Sequence, residues 1–390
     1  MTDAEQTLRN TLKPILSDLG YENDHVEIMA ITSGGGNYTS GLFLVTLKRD
    51  GKRPEEIFAK VAIVGEKMRQ VMNATKIFYT ERFVYQELAL VYGDLQDRLS
   101  VPEEERFVFP KFYGCNPEPY KETIVLENLA AIGFTTPNRL RSVTWEEAAA
   151  AIDTLARFHA LSYAYQKESP EHFEQVVKTM AMPTKPHDEK TLVAWKEMIG
   201  SVLKLVDEEY RGKIAQFMEE GGEFIYQKYN KPIGKPVLIH GDYRPSNLMV
   251  KKTGDNTIAM AVDYQTIRSS TPVADLVYFI AVGTDKPFRD QYYQALVERY
   301  HDQLGRALRN LGLDVNEVYP KETYDSEFQQ TLPYALVLSV LVLPIVMVDE
   351  TAAPRTDGDA DFSNFSVKHN DMCAERLRGL IGDLARWGVL

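Results

Sequence analysis

Little in this chain asks for an oxidising compartment, a metal cage or a membrane. Its 390 residues include only two cysteines, Cys115 and Cys373. That excludes a disulfide framework and suits a reducing, cytoplasmic setting. No Cys and His residues stand at zinc-binding spacing. Positive charge is short as well: 44 Lys and Arg face 56 Asp and Glu, for a net charge of -12. A main partner that is nucleic acid or an anionic membrane needs a basic face, so neither is expected. A compact site for ATP needs only local positive charge and stays open. The uncharged run Leu332 to Val348 falls short of the ~20 residues a membrane helix requires. It also carries Pro333 and Pro344, so it reads as a buried helix. The opening MTDAEQTLRNTLKPIL has neither a basic start nor an apolar core, and reads as an amphipathic helix that Gly20 ends rather than a signal peptide. Repeats and low-complexity tracts are missing too.

What is present is an ordinary globular balance, 44% apolar and 26% charged, at a length that favours two or three domains. The most informative stretch runs from Val237 to Phe279. The apolar residues Val237, Leu238 and Ile239 lead into His240-Gly241-Asp242, and Asn247 follows five positions after Asp242. Leu248-Met249-Val250, a polar turn and a second apolar run, Ile258 to Val262, then end at Asp263. This reads as a hairpin with a carboxylate at the end of each arm and a carboxamide between them. Phosphoryl transfer needs one carboxylate beside the acceptor hydroxyl and oxygen ligands that hold Mg²⁺ against the phosphates of ATP. Asp-x-x-x-x-Asn is the spacing of a kinase catalytic loop. It makes Asp242 the candidate base, and Asn247 and Asp263 the candidate metal ligands.

Upstream, the strand Val26 to Ile31 is followed by Gly34, Gly35, Gly36, Asn37 and Ser40, and then by a second strand from Leu42. A glycine loop between two strands lets backbone N–H groups approach phosphate. Lys60 lies inside the apolar run Ile57 to Ile63, where a lysine is costly unless paired, and is the candidate phosphate-gripping lysine. A helix from Met68 to Tyr92 offers Glu81 as its partner, with Glu87 as competitor. A strand over Val108 to Tyr113 and another over Thr123 to Leu126 are expected. The second ends at Glu127-Asn128-Leu129, where backbone groups would meet the adenine edge. Thr144-Trp145-Glu146-Glu147 has the pattern of a capping box and opens a long helix containing His159, read as a core histidine bonded to the catalytic loop.

Taken together, GGGNYTS, FAKV, FYTERFVY, IVLENL, LARFHALS, VLIHGDYRPSN, VDYQ and TPVADLVYF resemble the ecdysteroid kinase-like family over nearly the whole chain. That family belongs to the larger group sharing the protein-kinase-like fold with aminoglycoside phosphotransferases and choline kinases. The resemblance implies an α+β fold of two lobes, a small β-rich N-terminal lobe and a larger, mainly helical C-terminal one. It implies ATP between them and phosphorylation of a small-molecule alcohol. The boundaries expected are 1–126 for the ATP-binding lobe, 127–133 for the hinge and 134–390 for the catalytic and substrate-binding lobe. Two positions depart from the family pattern. Arg244 takes a slot that is often tryptophan, and Ser246 one that is often asparagine. Arg244 stands two residues after the base, where protein kinases place a phosphate-contacting lysine, and is counted as a catalytic candidate. Asp275 matches the family's aspartate in the ADL segment and is read as structural.

Asp275 follows Asp263 by twelve positions, which leaves no room for a protein kinase's activation segment. The acceptor expected is a mostly apolar alcohol such as an ecdysteroid or xenobiotic. Part of the ground for this is a 168–231 region offering Phe173, Met180, Met182, Trp195, Met198, Phe217, Met218, Phe224 and Tyr226. An aminoglycoside- or choline-type activity remains the alternative, with Asp207, Glu208, Glu209, Glu219 and Glu220 as its acidic lining, and so does a nucleotide-binding pseudokinase. No obligate protein partner is expected.

Overall fold

The computed structural model describes residues 3–21, 26–49, 51, 53–181, 189–365 and 367–390. Met182, Pro183 and Pro186 lie outside them. The N-terminal part is built on α1 (Asp3–Leu19) and a five-stranded antiparallel sheet. Its strands are β1 (Val26–Ile31), β2 (Ser40–Leu47), β3 (Glu55–Ala62), β4 (Phe112–Asn116) and β5 (Thr123–Glu127), in the order β1-β2-β3-β5-β4. Strand alternation explains its two faces. Ile57, Ala59 and Val61 of β3 pack with Val125 of β5 against Leu8, Leu12, Ile15 and Leu16 of α1. Lys60, between them in sequence, turns to the opposite face. Pro14 sits inside α1, which continues through it and stops before Gly20 at φ +73°.

The helix expected over Met68 to Tyr92 is in fact interrupted. Asn73 adopts a left-handed conformation, φ 53°, and separates α2 (Glu66–Met72) from α3 (Ala74–Phe83). One π-turn, Val84–Leu88, then joins α3 to α4 (Ala89–Arg98). Asparagine tolerates the left-handed region better than most residues, and that is what permits the break. The strand expected over Val108 to Tyr113 forms later, as β4, with a bulge between Phe112 and Gly114. Pro110 has no N–H to give a ladder, and the strand begins after it.

The remainder is mainly helical: α5 (Trp145–Glu168), α6 (Pro170–Met180), α7 (Glu189–Leu203), α8 (Glu208–Phe217), α9 (Glu223–Lys228), α10 (Val273–Gly283), α11 (Lys286–Asn310), α12 (Val315–Val318), α13 (Lys321–Leu341), α14 (Leu343–Val346) and α15 (Asp371–Arg386). Thr144 and Glu147 form the reciprocal capping box that starts α5. The run Ala148 to Ala151 is buried and lets α5 pack tightly among its neighbours. Every residue of α10 is buried. Two short antiparallel pairs are set into the helices: β6 (Val237–Ile239) with β9 (Arg268–Ser270), and β7 (Leu248–Thr253) with β8 (Asn256–Ala261). The chain thus has the two-lobed α+β kinase-like architecture. Among the described residues no helix is long and apolar enough to cross a membrane. The 332–348 run breaks at Val342 between α13 and α14. Cys115 and Cys373 are both free thiols.

After α14 the chain turns back to the N-terminal part. Arg139 donates to the carbonyls of Val346 and Val348 and, from Nε at 2.9 Å, to that of Gly34. Thr32 bonds Glu350, and Thr356 bonds the carbonyl of Tyr38. The Gly65 N–H meets the Thr356 carbonyl at 2.7 Å, and Ala360 and Phe365 pack on the cluster around Met68 and Phe78. Residues 349–365 therefore form a strap across the loop between β1 and β2.

Candidate active site

Lys60 is 7% exposed and Glu81 1%. The Lys60 ammonium donates to both Glu81 oxygens, at 2.9 and 3.1 Å, and to Asp263 Oδ1 at 2.7 Å. Burial works against the lysine's charge, but Asp263 and Glu81 outweigh it and hold the ammonium above its usual range. Glu87, one turn and a half further along, is exposed. Gln265 completes the group. Its amide donates to Glu81 Oε2 at 3.1 Å and its carbonyl accepts from Thr39 at 3.2 Å, so the glycine loop and α3 are linked through one side chain.

Asp242 is surrounded by donors. Arg244 Nε lies 2.9 and 3.0 Å from its two oxygens, the Tyr278 hydroxyl 2.6 Å from Oδ1, and Asn247 Nδ2 2.9 Å from Oδ2. Burial pushes the carboxyl up, but Arg244, followed by Tyr278, outweighs it and keeps Asp242 below the usual aspartate range. Burial and the Asp242 charge hold Tyr278 well above an ordinary phenol, so it remains a donor. Arg244 also reaches the glycine loop, with Nη2 3.2 Å from the Gly36 carbonyl.

The backbone beneath these groups is held from below. Asp275 accepts the N–H of His240 at 2.7 Å and of Gly241 at 2.9 Å, and His159 joins Asp275 to the Tyr300 hydroxyl. Asp275 thus holds the loop backbone as expected, while His159 is the core histidine expected but bonds Asp275 and not the catalytic loop itself. Gly241 is required by conformation, φ +82°, and by space, because a Cβ there would overlap Arg268 and the Thr266 carbonyl. Burial keeps His240 below the usual imidazole range. Its Nε2 faces the Val262 carbonyl at 3.1 Å, which can only accept, so the proton sits on Nε2. Rings continue this support towards β4: His240 meets Tyr264, Tyr264 meets Tyr85, and Tyr85 stacks on Phe112.

The remaining candidates are distributed as follows. In the glycine loop, the N–H groups of Gly34, Gly36 and Asn37 are turned onto the Thr32 and Ser33 hydroxyls, and Asn37 Nδ2 bonds the Ser40 carbonyl. The loop satisfies these donors internally. At the end of β5, the Glu127 N–H bonds the Lys111 carbonyl, and the Asn128 and Leu129 carbonyls accept from Ala131 and Phe134. The Asn128 side chain caps Ala130 and donates to Glu56. Any adenine contact there falls to the other backbone groups of this turn.

Of the apolar residues expected to wall the acceptor site, Phe173, Met180, Met198 and Met218 are buried core, and Phe224 is 72% exposed. Trp195 and Tyr226 do lie in one row of rings, which continues to Tyr334 and Tyr229. Tyr226 and Tyr334 are close enough to Asp242 to feel its charge, and so is Tyr38. Tyr38, Tyr278 and Tyr334 were not expected at the site. Tyr278 was detectable, because it stands one helical turn after Asp275. Asp207, Glu208, Glu209, Glu219 and Glu220 are all exposed.

Residues 34–313 match the sequence model of the ecdysteroid kinase-like family. The chain belongs to that family. Solved structures of similar fold include an aminoglycoside-3'-phosphotransferase of type VIII, with 18% identity, covering 77% of this chain and 98% of that one, TM-score 0.37. A microcompartment-associated aminopropanol kinase shares 11% identity, with 96% and 95% covered and a TM-score of 0.40. A choline/ethanolamine kinase family protein from Mesorhizobium loti shares 14%, with 98% and 97% covered and a TM-score of 0.41. No curated protein sequence matches the chain. Family membership supports a small-molecule phosphotransferase of the kinase-like fold.

Proposed function

We propose that the protein transfers the γ-phosphate of ATP to the hydroxyl of a mostly apolar alcohol, such as an ecdysteroid or xenobiotic. The observation that carries this reading is the Lys60 ammonium bound at once by Glu81 and Asp263 across the two lobes. A buried lysine so paired is the phosphate-gripping arrangement of kinases.

The residues fit Mg·ATP. Asp263 bonds Lys60 through Oδ1 and its side chain is 22% exposed, so a carboxylate oxygen is accessible. Asn247 spends its NH₂ on Asp242, so its other amide atom is an oxygen, the atom type magnesium takes. Among the described residues no cluster of three or more His, Cys, Asp or Glu could hold a metal alone. One or two protein oxygens completed by phosphates is the usual magnesium arrangement. Asn247 and Asp263 would hold the ion, and Lys60 and the 34–40 loop would hold the nucleotide. The bound pair supplies the phosphoryl group and neutralises its charge.

Asp242 then orients the acceptor. A carboxylate kept this firmly ionised is a weak base towards a ground-state alcohol. It accepts the hydroxyl's hydrogen bond and takes the proton late, which suits a loose phosphoryl-transfer transition state. Tyr278, Asn247 and Arg244 fix its plane. Near it stand Tyr38, Tyr226, Tyr278 and Tyr334 and the Arg244 guanidinium, which favour a neutral acceptor with ring faces to stack over a polycationic one. The test is ADP release with Mg·ATP against steroids, plant or xenobiotic glycosides, choline and aminoglycosides. Turnover of choline or an aminoglycoside, with none of the apolar alcohols, overturns the acceptor assignment.

A further inference from the structure

We propose that Arg244 and Ser246 are direct contacts of the transferred phosphoryl group, a pair of donors beneath the glycine loop. This rests on the phosphotransferase reading above.

Three observations meet here. The first is the position of the guanidinium. Arg244 spans from the Asp242 carboxylate, through Nε, to the Gly36 carbonyl, through Nη2. Arg244 therefore lies between the base and the glycine loop, the two parts that phosphoryl transfer has to bring together.

The second is a pair of unsatisfied donors. Arg244 is 5% exposed and the Tyr38 hydroxyl lies close to its guanidinium, but its Nη1 is shut off from solvent and makes no well-aligned hydrogen bond among the described residues. The Ser246 hydroxyl is in the same condition. Both belong to this spot: the Ser246 Cβ lies 3.6 Å from where a Cβ on Gly36 would stand. Buried donors without partners destabilise a fold and are rare, so two at one point mark a ligand's place.

The third is charge. Burial works most against the Arg139 charge and the nearby Arg244 adds to that, while Tyr38, Glu350 and Asp349 offset part of it. Two guanidinium groups close together still add to the attraction for an anion. The glycine-loop N–H groups of Gly34, Gly36 and Asn37 are engaged by Thr32 and Ser33. Side-chain donors near Asp242 therefore have to supplement the rest of the loop, and a guanidinium fork matches phosphate oxygens.

In the transfer, the bond from the β–γ bridging oxygen to phosphorus breaks and the bond from the acceptor oxygen to phosphorus forms. The acceptor's proton passes to Asp242, and Arg244 stays protonated throughout. Arg244 and Ser246 donate to the non-bridging oxygens.

The test needs no acceptor. Isothermal titration with Mg·ADP and with Mg·AMP-PNP, a non-hydrolysable ATP analogue, is run on the full chain and on Arg244→Gln, Arg244→Lys and Ser246→Ala. The expected result for Arg244→Gln is ADP affinity within about 2-fold of the parent and analogue affinity lower by about 10- to 100-fold, the loss of a charged hydrogen bond. Ser246→Ala loses about 3- to 10-fold on the analogue alone. Arg244→Lys falls between parent and Gln, because it keeps charge without the fork. Equal loss for both nucleotides, or none for either, overturns the proposal and leaves Arg244 as a positioning partner of Asp242. If Arg244→Gln does not fold, Arg244→Lys and Ser246→Ala carry the same comparison. A parent protein that binds neither nucleotide overturns the phosphotransferase reading itself. One that binds both, with unaltered variants, overturns only this assignment.

Discussion

Asp263 reaches Lys60 across 2.7 Å from a left-handed backbone, φ 68° and ψ 61°. A non-glycine residue there stores strain, and aspartate is among the few that accept it. The turn lifts the carboxylate off the end of β8 and aims it at the lysine. Asp263→Ala should remove both the lysine's partner and the proposed metal ligand. Mg·ADP affinity should fall by more than tenfold, while ADP measured with EDTA changes little. Equal ADP affinities with and without magnesium in the parent would remove Asp263 from the metal site.

Lys60 and Glu81 should behave as a unit. Lys60→Met and Glu81→Gln each lower kcat/KM, and the double variant should lose no more than about the larger single loss. Glu87→Gln, on an exposed side chain, should stay within about twofold. A double-mutant cycle on kcat/KM decides between this and simple additivity.

Asp242→Asn should leave nucleotide affinity intact and slow turnover by ~10² to 10⁴. Single-turnover rates on an alcohol identified by the ADP screen measure this. Parental turnover would remove Asp242 from the base role.

Asp275 gives a pH-dependent stability. Burial alone would raise its carboxyl, but His159 and the Gly241 N–H outweigh it and set the folded value below the ordinary 3.8. A depressed carboxyl stabilises fully above its unfolded value, and the contribution fades as pH falls from 3.8 through the folded value. Asp275→Asn should cost about 3 kcal/mol at pH 7. The gap between variant and parent in urea unfolding should narrow below pH 3.8. A gap that is constant with pH would show that the hydrogen bonds, not the charge, carry the effect.

The fold and much of the site were legible in the sequence because chemistry there is local. His240, Asp242, Asn247 and Asp263 sit at fixed spacings within one hairpin, and Lys60 betrays itself as a charge in an apolar strand. Glu81 was legible from the kinase habit of pairing the strand lysine with a helix glutamate, with Glu87 as its competitor. What could not be read were contacts that depend on where distant segments return. Nothing in the composition of 168–231 separates Tyr226, which lies near enough to feel the Asp242 charge, from Met180, which fills the core. Tyr38 and Tyr334 arrive from opposite ends of the chain. Arg139 carries no motif, and its importance comes only from three carbonyls that folding brings to it. The break at Asn73 turned on one backbone torsion.

The strap also sets an order of events during synthesis. Thr32 and Glu350 are 318 positions apart, as are Tyr38 and Thr356. The sheet and α1 can assemble as soon as β5 has left the ribosome, since their contacts close early. The glycine loop cannot take its held position until residues 346–356 follow, nearly a whole chain later. A nascent chain therefore carries a finished sheet with an unfastened loop for most of its synthesis, and closing that long loop is among its last folding steps.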